Sequence, residues 1–121
     1  MFLHILRRLV TAVPGSIGAL FLDYEGETVS MLSERPFDIE DDDLRMFGAY
    51  QGIFLTQLRA LTARVDAGTP VRFKLEFART RAFTCDLQDG YYLVLLVDPG
   101  TSEALVWRQL EVSRRDLLAE L

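Results

Sequence analysis

The chain has 121 residues, half of them hydrophobic, and a formal net charge of -5, which is enough apolar material to build a core without metals or disulfides. That acidity, with a pI of about 4.8, repels a phosphate backbone and argues against nucleic acid as a partner. The single cysteine, Cys85, has no mate for an internal disulfide, so a reducing compartment, the cytoplasm, is the expected location.

The elements follow from hydrophobic spacing. Phe2, Ile5, Leu6, Leu9 and Val13 recur at helical intervals and Pro14-Gly15 stops the pattern, predicting an amphipathic first helix. Arg7 and Arg8 interrupt its apolar run and no small-residue cleavage pattern follows, so the segment is read as a helix rather than a secretion signal. Ile17 to Asp23 and Glu27 to Leu32 are strand-like and flank the turn Tyr24-Glu25-Gly26. After a loop from Ser33 to Phe37, the acidic cluster of Asp38, Glu40, Asp41, Asp42 and Asp43 marks the start of a long second helix, where carboxylates meet the positive end of the dipole. That helix is expected to run to about Asp66, because Ala67-Gly68-Thr69-Pro70 supplies a stop.

The period then changes from helix to strand. Val71, Phe73, Leu75 and Phe77 alternate with Arg72, Lys74, Glu76 and Ala78, and Phe83, Cys85 and Leu87 repeat the alternation up to a turn at Gln88-Asp89-Gly90. Tyr91 to Val97 is apolar throughout, which places it in the middle of a sheet. Asp98-Pro99-Gly100 breaks that strand, and Thr101 or Ser102 caps a third helix carrying Leu105, Val106, Leu110, Leu117 and Leu118. The order is αββαβββα in one α/β domain spanning residues 1–121, with no linker or repeat and no segment approaching the roughly 20 apolar residues of a membrane span.

Signatures of catalysis are missing. The sequence holds no phosphate loop, no dinucleotide fingerprint, no H-E-x-x-H and no cysteine pair at metal spacing, so no catalytic, cofactor or metal residue is assigned and the chain is read as not an enzyme. His4, the only histidine, is read as structural or solvent-facing, and Cys85 as a small buried hydrophobe. Asp38 to Asp43 lack the alternating ligands and central glycine of a calcium loop. Of thirteen basic residues only Lys74 is lysine, a bias that fits a GC-rich bacterial genome.

The second helix is the informative element. At 100° per residue, Leu44, Phe47, Phe54, Leu58, Leu61 and Val65 form one stripe and Met46, Tyr50, Ile53 and Ala60 an adjoining one, leaving a narrow sector for Arg45, Thr56 and Arg59. The apolar arc exceeds the ~100° that a helix lying on one sheet needs, so the excess is expected to meet another protein, the alternative being that Tyr50 and Met46 pack under a loop and Gly48 and Gly52 ease packing on the sheet. Gly48 and Gly52 each cost about 1 kcal/mol relative to alanine in a helix interior, which implies a close backbone approach there.

With these residues in hand, the sequence resembles the roadblock / dynein light-chain family, including MglB-like and MglC-like bacterial gliding-motility regulators. The likeness is carried by the helix ending in Val13-Pro14-Gly15, by SIGALFLDYEGE from Ser16 to Glu27, by FGAYQG from Phe47 to Gly52, and by DGYYLVLLVDPG from Asp89 to Gly100. It implies a roadblock (longin/profilin-like) three-layer sandwich, in which a five-stranded antiparallel sheet carries the long helix on one face and the other two helices on the opposite face. It further implies pairing of two protomers through the second helix and the edge strand after it. Met46, Gly48, Tyr50, Gly52, Ile53 and Gln57, together with Arg72, Lys74 and Glu76 of the strand from Val71 to Ala78, would then lie at the dimer or partner surface.

By the same resemblance the chain is a non-catalytic homodimeric adaptor in a Ras-like small-GTPase pathway of cell polarity or motility. Its implied partners are itself, a roadblock paralogue or a Ras-like small GTPase, with no membrane insertion. Two other readings stand beside this one. The first is a GTPase-activating protein, which by the resemblance would act by repositioning the GTPase's own catalytic groups rather than by donating an arginine finger; Arg45 and Arg59 could reach a partner, but no spacing sets either apart from ordinary surface arginines. The second is a small-ligand sensor, which Phe47, Phe54, Phe73 and Phe77 argue against if they fill the interior.

Overall fold

Strands that are apolar on both sides must be covered on both sides, and the fold meets that demand with three layers. The computed structural model describes residues 1–121. Its elements are α1 (Leu3–Ala12), β1 (Ser16–Leu22), β2 (Thr28–Ser33), α2 (Asp41–Arg64), β3 (Arg72–Glu76), β4 (Arg81–Asp86), β5 (Tyr92–Val97) and α3 (Glu103–Glu120). The five strands form one antiparallel sheet in the order β2-β1-β5-β4-β3. The αββαβββα order and the central place of the Tyr91 to Val97 run are as the sequence predicts. The second helix starts at Asp41, three residues later than expected, because Asp38 and Ile39 close a turn back onto the Arg35 carbonyl.

The side chains of β5 alternate between two cores. Leu93, Leu95 and Val97 join Ala19, Phe21 and Phe83 beneath α1 and α3, whose Ile5, Leu6, Leu9, Val106, Leu110 and Leu117 are buried. Tyr92, Val94 and Leu96 join Leu20 and Leu22 beneath α2, which contributes Leu44 and Leu55. α1 and α3 lie antiparallel on their face, joined at the rim by Arg8 to Asp116 and by His4, whose Nε2 is 3.5 Å from Glu120 Oε1. α3 starts where the Ser102 hydroxyl accepts the Leu105 amide at 3.3 Å, the predicted cap.

Cys85 lies under α3, and burial pushes its thiol from an ordinary 9.0 up to about 12. Burial likewise pushes the Tyr92 phenol from 10.0 up to about 12, partly offset by the Gly52 backbone. Each group keeps its proton in the folded state at a pH where the unfolded chain has lost it, so each favours unfolding as pH rises above the unfolded value. Stability should therefore decline from about pH 9 towards pH 12, and Cys85 should resist iodoacetamide at pH 8 until denaturant is added; midpoints measured against pH and alkylation followed by mass spectrometry check both.

Candidate functional site

α2 meets the sheet along Leu44, Gly48, Gln51 and Leu55, a line of helical spacing that crosses β1, β2 and β5. This corrects the stripe read from hydrophobicity. The sheet beneath carries the bulky Leu20, Leu22 and Tyr92, so the helix approaches through its small residues: a Cβ on Gly48 would stand 3.0 Å from Leu20 and Leu22 side-chain carbons. The Tyr92 hydroxyl donates to the Gly48 carbonyl at 2.9 Å, and Gly52 rests on the Tyr92 ring. Both glycines thus serve the protomer's own packing; Gly48 is buried, which corrects its placement at a partner surface, while Gly52 is half-buried. Gln51 is also buried, with its Oε1 accepting the Thr84 hydroxyl of β4 at 3.3 Å.

The other expected surface residues do lie outside. Met46, Tyr50 and Ile53 are 55%, 53% and 49% exposed, and they continue along the helix to Gln57, Ala60, Leu61 and Val65, all in water. α2 covers the sheet only as far as β5, with Gln51 reaching β4, so the β3 end of this face is thinly roofed. Phe73 and Phe47 pack there at the rim of the core, and Phe47 meets Phe77 edge-on with ring centroids 5.6 Å apart. Phe47, Tyr50, Gln51, Phe54 and Phe77 line an open groove of about 250 Å³.

The four phenylalanines expected to fill the interior therefore do not. Phe47, Phe54 and Phe73 are half-buried and Phe77 is exposed, and the large interior side chains are Phe21, Phe83 and Tyr92. Phe77 was missed as a surface residue because it continues the inward alternation of Phe73 and Leu75, yet β3 ends at Glu76 and no element covers the position beyond it.

β3 has only one neighbour, β4, so its far edge is open. Its charged side chains turn to the α3 side of the sheet. The Arg72 guanidinium stacks 4.5 Å from the Trp107 ring centroid, and the Lys74 ammonium reaches Glu103 at 2.8 Å and Glu76 at 3.3 Å. Glu76 also lies 3.8 Å from Arg81. These contacts hold Lys74 protonated, raising its pKa through Glu103 first and Glu76 second.

Both arginines weighed as surface groups that could reach a partner make ion pairs within the chain, a part-buried one at Arg59 and an exposed one at Arg45. Arg59 is held by Asp86 at the end of β4, and Arg45 donates to Asp42 at 3.1 Å one turn back along α2. Asp41, Asp42 and Asp43 fill the exposed first turn of α2, as the dipole favours. His4 and Cys85 lie with α1 and α3 on the opposite side of the sheet from α2. No group of three or more His, Cys, Asp or Glu side chains is arranged to hold a metal ion, and no helix is long and apolar enough to cross a membrane.

A five-stranded antiparallel sheet of order β2-β1-β5-β4-β3 with three helices in the order αββαβββα recurs in solved structures. A Roadblock/LC7 domain from Streptomyces avermitilis superposes with a TM-score of 0.86 at 18% identity, over 97% of this chain and 94% of that one. The chain has the roadblock fold. Myxococcus xanthus MglB matches with a TM-score of 0.85 at 14% identity, over 98% of this chain and 92% of that one. MglC from Myxococcus xanthus matches with a TM-score of 0.66 at 20% identity, over 98% of this chain and 97% of that one. In sequence alone, the chain matches no protein-family profile and no curated protein. The roadblock comparison therefore rests on the path of the backbone, which is where the sheet order and the placement of three helices are recorded.

Proposed function

We propose that this roadblock chain is a non-catalytic homodimeric adaptor that uses the outer face of α2 and the edge of β3 to pair with a second copy and to present a platform to other proteins. The observation that carries the reading is the continuity of the exposed apolar residues Met46, Tyr50, Ile53, Leu61 and Phe77 with an open sheet edge. Scattered apolar residues on a surface need no explanation, but a contiguous patch on a protein of this size marks a contact, and an uncovered strand edge is an aggregation hazard that pairing removes. The partner class follows from the roadblock resemblance: a Ras-like small GTPase of a polarity or motility system, with a roadblock paralogue as a further partner. The cytoplasm is the compartment that fits such partners and the lone buried thiol.

The nearest competing reading is a GTPase-activating protein. The engagement of Arg59 by Asp86 weighs against insertion of that arginine into a GTPase site, whereas an activator that repositions the GTPase's own groups needs no arginine and is separated from the adaptor by experiment. Binding to a purified Ras-like GTPase in its GTP and GDP forms, with phosphate release followed in the same samples, separates the two. The adaptor binds and leaves the hydrolysis rate within about 2-fold, whereas an activator, whether by an inserted arginine or by repositioning the GTPase's own groups, raises it beyond that band. No binding to either nucleotide form, by wild type that is shown to be dimeric, would contradict the partner assignment.

A further inference from the structure

A cavity of about 410 Å³ opens near the start of α2, more enclosed than the groove beside Tyr50 and within the range of about 300–1,000 Å³ usual for small-molecule sites. Ile17 and Leu96, from the adjacent strands β1 and β5, form its floor. Phe47, which packs on Phe77 rather than filling the interior, and Ile39 of the preceding loop border it on the helix side. The loop between β2 and α2 makes one wall and the turn between β3 and β4 the other. Those two connections flank β1 and β5 in the sheet, so their side chains line the cavity from opposite sides.

The charges on the two walls are unevenly used. Arg35 grips Asp98 in a two-pronged pair, with Nη1 2.8 Å from Oδ1, so these two cancel. Asp38 on the loop wall and Arg79 on the turn wall are exposed, and neither enters an ion pair within the chain. A ligand therefore meets one free carboxylate, one free guanidinium and an apolar floor. From this arrangement we infer that the cavity binds a small zwitterion with an apolar side chain, an amino acid or a dipeptide. Its carboxylate meets Arg79, its ammonium meets Asp38, and its side chain rests on Ile17 and Leu96. A guanidinium fork matches a carboxylate in a two-pronged geometry, and both contacts are charge-assisted hydrogen bonds, the strong kind. Other chemistries fit less well. A phosphate would gain Arg79 but meet Asp38 as a like charge, a plain carboxylic acid would do the same, and a plain amine would leave Arg79 unmatched. The site uses none of Met46, Tyr50 and Ile53, so it stands apart from the self-association reading.

Calorimetric titration of the full chain, with amide NMR to locate the contact, tests the site. The probes are leucine and leucyl-leucine as zwitterions, with isocaproate and isoamylamine as analogues that each keep one charge. At least one zwitterion should bind with a Kd of about 1 mM or below and shift the amides of Ile17, Thr80 and Asp98. It should bind roughly 10-fold or more tightly than either single-charge analogue, and the tighter of the two zwitterions identifies the length of the ligand. Arg79→Ala and Asp38→Asn should each weaken that binding by roughly 10-fold or more. Both variants should melt like wild type without ligand, because both side chains are exposed and unpaired. Absence of binding by both zwitterions up to about 10 mM would overturn the site. Amide shifts confined to other residues, or affinities that both substitutions leave unchanged, would overturn it too. Isocaproate or isoamylamine binding as tightly as the zwitterions would overturn the ligand class.

Discussion

Gly52→Ala should destabilise the protein by about 1–2 kcal/mol, although a glycine-to-alanine change inside a helix ordinarily stabilises by about 1 kcal/mol. A Cβ on Gly52 would overlap the Tyr92 hydroxyl oxygen and stand 2.8 Å from the ring carbon that bears it. Tyr92 cannot give way. It is 2% exposed, lies on the central strand, and is anchored by its hydrogen bond to the Gly48 carbonyl one helical turn away. Overpacking of this kind costs ~1–3 kcal/mol, enough to exceed the gain in helix propensity. The cause can be isolated. Tyr92→Phe alone removes one buried hydrogen bond and should cost about 1 kcal/mol, but in the Gly52→Ala background it also removes the overlapping oxygen and should cost less or restore stability. Urea denaturation of the four proteins in the cycle measures this coupling, and strictly additive effects would mean that the helix meets the sheet elsewhere.

Tyr50→Glu should have the opposite profile, sparing the fold and abolishing the dimer. Tyr50 is half exposed on the outer face of α2 and has no hydrogen bond to its own chain in the fold, so the change in protomer stability should stay within about 0.5 kcal/mol. In the proposed pair a glutamate from each protomer would be drawn out of water in the α2 surface. An uncompensated buried charge costs about 3 kcal/mol or more, which corresponds to a dimer weakened by over 100-fold. Thermal melting should show the variant folded at concentrations where sedimentation shows it monomeric. A Tyr50→Glu protein that melts like wild type and remains dimeric would place the interface on another surface.

Much of the architecture was legible in the sequence because periodicity changes are sharp. The shift from helical spacing before Asp66 to alternation after Val71, and the uniformly apolar run ending at Val97, defined the elements and the central strand. The contact line of α2 was not legible, and the reason lies in the sheet. Hydrophobic spacing assumes that the largest apolar residues face the core, but Leu20, Leu22 and Tyr92 occupy that space, so Gly48 and Gln51 face inward while Leu61 and Val65 stay in water. The excess of apolar residues on the helix could still be counted, and Met46, Tyr50 and Ile53 are exposed as expected while Gly48 turns inward. Phe77 and the engagement of Arg59 by Asp86 needed coordinates, since both depend on where a strand ends rather than on local pattern.

Light scattering of the wild-type protein over a wide range of concentrations tests the central claim most directly. Self-association through α2 and β3 predicts a species of twice the 13.8 kDa chain mass that dissociates only on dilution. A mass of 13.8 kDa at every concentration would contradict it, and would leave the apolar face of α2 to a different protein.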